Sequence, residues 1–93
     1  MQAIVVRREG DIERLEIAEA PENLVERGIS YKRYTIRRTS HSGTESSAPL
    51  YVTEPPTVFQ VGHAAVLLWG ANAAGVVTAL DQSGSRVLPG SAS

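Results

Sequence analysis

"HAAVLLWGANAAGVVTAL", residues 63–80, decides how this chain is read. It lies in a stretch, 55–80, without a single Asp, Glu, Lys or Arg, whereas fifteen of the nineteen such residues fall at or before Ser40. Three structures can be built from so uncharged a block. Strands covered on both faces read as continuous apolar runs and would make it the middle of a core. A sheet in one thin layer covers only one face, so the run Val66, Leu67, Leu68 and Trp69 would otherwise need a second protein surface on its far side. Apolar and aromatic residues concentrate at the centres of such surfaces, with Trp69 as the anchor. The third structure is a membrane-spanning helix over 61–80, which has the required length of about 20 residues. His63, Asn72, the internal glycines and the lack of Lys or Arg close to either end argue against it. The second reading, strands plus interface, is the one carried forward. It divides the block into "HAAVLLW" and "AAGVVTAL", joined by a hairpin connection at Gly70, Ala71 and Asn72, where Asn72 accepts a positive φ.

Working outward, "LYVTEPPTVFQVG" gives two short extended pieces separated by Pro55 and Pro56, and 81–84 supplies a turn before "SRVL". Pro89 and Gly90 end the pattern, leaving a tail at 90–93. Toward the other terminus, "SHSGTESSAP" (40–49) lacks periodicity and reads as a flexible loop. "ISYKRYTIRRT" is a strand by its Tyr, Ile and Thr content. "PENLVERG" predicts one helical turn, with Pro21 early and Gly28 as the stop. "QAIVVRR" and "IERLEIAE" form a hairpin across Gly10 and Asp11. The expected fold is all-β or β-rich: a single domain over 1–93, a small sandwich or partly open barrel of six to eight short strands, with at most one short helical turn.

Composition limits the function classes. Ninety-three residues build one small core. A net charge of −1 provides no bulk field to attract nucleic acid. The absence of cysteine excludes disulfides, thiolate metal sites and a cysteine nucleophile. The charged opening, "MQAIVVRREGD", lacks the apolar run of a secretory signal, and the compartment stays open. His41 and His63 lack ligand partners at helical spacing, so no metal site is expected. No G-x-S-x-G elbow and no phosphate-binding glycine loop is present, which leaves catalytic and cofactor-binding residues unassigned. "YKRYTIRR" interleaves Lys32, Arg33, Arg37 and Arg38 with Tyr31 and Tyr34, a pattern that can hold phosphates while stacking on bases. Alternation along a strand nevertheless sends Arg33 and Arg37 to one face and Lys32 and Arg38 to the other, dividing the patch into a charged contact surface.

Two ends of the chain resemble the GroES-like N-terminal half of quinone-oxidoreductase-type medium-chain dehydrogenases/reductases. "MQAIVVRREGDIERLEIAEAPE" looks like their opening hairpin. "GANAAGVVTALDQSGSRVLPG" looks like their AGVV…PGD stretch through Gly70, Asn72, Ala74, Gly75, Val76, Val77, Pro89 and Gly90. Trp69 stands where the family has proline, Asn72 where it has an acid, Asp81 where it has the glycine of a VG pair, and Ser91 where it has the final aspartate. The family's N-x-x-D segment is missing. Hydride transfer also needs a Rossmann half, so the resemblance implies a GroES-like fragment without a cofactor domain, not an enzyme.

These readings converge on a non-enzymatic structural or interaction subunit of a larger assembly, most concretely an accessory or decoration subunit of a virion-like shell. Its partners are proteins, through self-association or a larger assembly, and no cofactor is expected. The alternatives are the reductase-type fragment and a single-span membrane subunit using 61–80.

Overall fold

The computed structural model describes residues 1–7, 9–71 and 75–87. Six strands and one helix follow in the order β1 (Gln2–Val6), β2 (Ile12–Glu16), β3 (Asn23–Glu26), β4 (Ile29–Thr39), β5 (Glu45–Val52), α1 (Val58–Trp69) and β6 (Val76–Leu80). The strands form one sheet, ordered β2-β1-β5-β4-β3, with β6 also pairing β4. All pairings are antiparallel except β1 with β5. β4 is long enough, at 11 residues, to carry β3 on its first part and β6 on its second along the same side. The sheet curls into a half-barrel, so the β-rich expectation of a partly open barrel holds.

The strand period of two sorts side chains between two cores. On the helix-covered face Ile4, Val6, Ile36, Leu50, Val52 and Ala79 pack beneath α1, which contributes Val61 and Ala64. On the other face Ala3, Val5, Tyr31 and Tyr51 meet Leu15, Ile17, Leu24 and Ile29. β1 therefore has both of its faces buried.

The face away from α1 is drawn together by polar links. Arg7 is held by Glu26 through Nε–Oε1 at 2.9 Å and Nη2–Oε2 at 3.1 Å, and by Glu13 through Nη1–Oε2 at 2.5 Å. One guanidinium thus joins β2 to β3, the two ends of the strand order. The Tyr51 hydroxyl donates to the Pro21 carbonyl at 2.7 Å, and Arg33 donates to the Ala20 carbonyl, tying the β2–β3 connection across the same face.

Several sequence expectations are corrected. "HAAVLLW" is helix, not strand, and α1 runs 12 residues, well beyond a single turn. The block is uncharged and predominantly apolar, so its periodicity distinguishes strand from helix poorly. The local chemistry does distinguish them. Thr57 accepts the Gln60 N–H at 3.1 Å and the Gln60 side chain accepts the Thr57 N–H at 2.9 Å, a capping box immediately after two prolines. Gly70, at φ 92°, closes the helix with its N–H on the Val66 carbonyl.

"PENLVERG" is strand β3 and its turn. Arg27 and Gly28 take positive φ values of 51° and 78° between the paired Glu26 and Ile29, the two-residue turn suited to a twisted hairpin. Gly28 supplies the left-handed residue that a helix stop would also need. In the expected loop at 40–49, β5 begins at Glu45, which leaves a short turn closed by Ser40 N–H on the Thr44 carbonyl. The first hairpin and the β4 limits agree with their expectations. Within "SRVL" Arg86 forms a bridge with Leu80, and Leu88 lies outside the described residues. Asn72, Ala74, Pro89, Gly90 and the 90–93 tail lie outside the described residues. Among the described residues no helix is long and apolar enough to cross a membrane.

Candidate protein interface

α1 carries no acidic residue in its first turn and no basic residue in its last. With about 3.6 residues per turn, Val61, Ala64, Ala65 and Leu68 fall on the side facing the sheet, Phe59, His63 and Val66 fall on the opposite side, and Val58 and Gly62 fall on the flank between them. A surface helix ordinarily alternates an apolar stripe with a charged one. Here the outward side carries no charge, and His63 is the polar residue among its apolar ones. Phe59 is 90 % exposed, Val58 58 % and Val66 47 %. Together with Ile12 of β2 they line an open groove of about 520 Å³.

Gly62 sits on the flank of that side. A glycine inside a helix costs about 1 kcal/mol relative to alanine. Nothing lies within 4 Å of where its Cβ would be, so packing within the chain does not require it. The groove is flanked at the carboxyl end of α1 by Arg14, whose Nη1 donates to the Leu67 carbonyl at 3.0 Å. Glu54, exposed, stands just before the amino end.

The sequence-derived interface residues divide between two environments. Val66 lies on the exposed side. Leu67, Leu68 and Trp69 are half-buried and pack against the core beneath α1, so their apolar surface is largely used within the chain. Val58, Phe59, Gly62 and His63 are additional residues of the face, and Thr57 with Gln60 three positions on is the sequence signal that locates them.

The basic residues of β4 divide as strand alternation dictates. Arg33 lies on the face away from α1, where it donates to Ala20, and Arg37 shares its parity. Lys32 and Arg38 share the parity of Tyr34 and Ile36, on the side of the helix-covered core. A second depression of about 260 Å³ lies between Lys32, Arg33, Tyr34 and 81–83. Its one carboxylate, Asp81, is occupied by the Ser83 hydroxyl at 2.7 Å and the Ser83 and Ser85 N–H groups at 2.9 Å. These bonds, the Ser83 hydroxyl first, hold its pKa below the ordinary carboxylate value. Among the described residues no group of three or more His, Asp or Glu side chains is placed to hold a metal ion.

No family model, curated protein or solved structure matches the chain. The reductase-type resemblance therefore rests on the residues quoted for it alone.

Proposed function

We propose that this chain is a non-enzymatic interaction subunit that joins a larger protein assembly through the outward side of α1. An accessory subunit of a repetitive, virion-like shell is the most concrete such role, because it needs an adhesive surface and no reacting group. One observation carries the reading: α1 has no charged residue, the sheet covers one side, and on the other Phe59 is left 90 % exposed beside exposed Val58 and Val66. Contiguous apolar surface of this kind marks a site of protein contact.

The test places a photo-crosslinking residue at position 59 and, separately, at exposed Lys32, with the chain expressed in its native source. Adducts with one or a few proteins identifiable by mass spectrometry are expected at 59 and absent at 32. Position 59 yielding no more than position 32 would overturn the reading. Adducts concentrated at 32 on nucleic acid would move the function to β4.

A further inference from the structure

We infer that the occupant of this face is a second copy of the same chain, packed through α1 in antiparallel, two-fold fashion about Gly62. The inference rests on the proposed docking role of α1 and names its partner. Three features point to self-pairing. Val58 and Val66 stand four residues on either side of Gly62, so a two-fold axis there sets the Val58 of each copy against the Val66 of the other. Phe59 then reaches past the open glycine position, where the absence of a Cβ lets the helix backbones approach. A closed two-fold contact requires this kind of self-complementary patch.

The second feature is charge. The face itself has none, so like charges do not meet at its centre. At its ends Arg14 flanks the carboxyl terminus of α1 and Glu54 precedes its amino terminus. Antiparallel pairing brings each Arg14 toward the other copy's Glu54, whereas parallel pairing would set like beside like. The helix dipoles also oppose favourably in this arrangement.

The third is area. A 12-residue helix is about 18 Å long, and Phe59 alone offers most of the roughly 150–250 Å² that an aromatic side chain can bury. A specific contact needs roughly 1,000 Å² in all, about a tenth of each copy's 5713 Å² surface, and a dimer held by a contact near that size is reversible.

Sedimentation equilibrium of the full chain from about 1 μM to about 1 mM should show a monomer–dimer transition in the micromolar range. Phe59→Lys should weaken it by about 30-fold or more, the effect of losing a central anchor. Gly62→Leu should weaken it comparably while leaving the monomer folded, since the added side chain meets open space. Glu54→Lys and Arg14→Glu should each weaken self-association by about fivefold. Mixed together, these two variants should form heterodimers in preference to either homodimer, because only the mixed pair restores opposite charges at both ends. A dimer indifferent to Phe59→Lys and Gly62→Leu would overturn the inference, as would variants that do not prefer each other. A wild type monomeric throughout, with adducts at position 59 still forming on another protein, would overturn the second copy and keep the docking face. A monomer without adducts would overturn both.

Discussion

Two glycines with opposite requirements show how local geometry decides the effect of one methyl group. At Gly75 φ is 134°, and a Cβ would fall 2.3 Å from the Thr39 carbonyl oxygen, a backbone atom that cannot swing away. Gly75→Ala should therefore cost at least about 2 kcal/mol, measured by urea unfolding, because both the conformation and the space are wrong for alanine. At Gly62 the position is helical and open, and Gly62→Ala should stabilise the dilute monomer by up to about 1 kcal/mol. A similar contrast separates two aromatics of α1. Trp69 packs on the core beneath α1, so Trp69→Ala should lower stability by about 2 kcal/mol. Phe59→Ala should leave unfolding nearly unchanged and act on assembly. Equal effects of the two on stability would show that Phe59 is not free in the monomer.

At the scale of the element, α1 owes its position in the sequence to its ends more than to its middle. The side chains of Thr57 and Gln60 satisfy two N–H groups that would otherwise lack partners in the first turn, and no acidic residue in that turn adds to them. Thr57→Ala should thus cost about 1 kcal/mol, and hydrogen exchange should locate the loss in the first turn of the helix before the sheet. Strand β4 illustrates the opposite case. Its alternation of Tyr34 and Ile36 with Arg33, Thr35 and Arg37 specifies which side chains enter each core, and β3, β5 and β6 then find their registers against it.

For the whole molecule, the link between strands at opposite ends of the sheet order is ionic, and this makes stability depend on pH. Hydrogen bonds from Arg7 hold the Glu26 carboxyl below its ordinary 4.5, and the Ser83 hydroxyl with the Ser85 N–H does the same for Asp81 below 3.8. In the unfolded chain these carboxylates take up protons first, so acid favours unfolding. Stability contributed by Glu26 is present in full above the unfolded value near 4.5 and is lost as pH falls through the lower folded value. Urea unfolding at pH 7, 5, 4 and 3, with pH values chosen about these limits, should show little change between the first two and a progressive decline below. Glu26→Gln should start lower at pH 7 and decline less steeply. An equal slope in both proteins would mean that the Arg7 link does not govern acid stability.

What the sequence determined by itself was carried by local rules. The first hairpin follows from β-branched residues around Gly10 and Asp11, the limits of β4 from its aromatic and β-branched run, and the separation of Lys32 and Arg38 from Arg33 and Arg37 from the two-residue period of a strand. The concentration of uncharged residues at 55–80 was likewise legible, and with it the presence of more apolar surface than one layer hides. Only the tertiary structure decided which of those residues the chain uses for itself. An uncharged segment has no charged stripe to mark its outside. The sheet, by covering Val61, Ala64 and Leu68, makes the opposite side of α1 the exposed one. The same holds for Arg7, Glu13 and Glu26, ordinary surface charges in the sequence, which meet because the sheet curls and brings β2 and β3 within reach of one side chain.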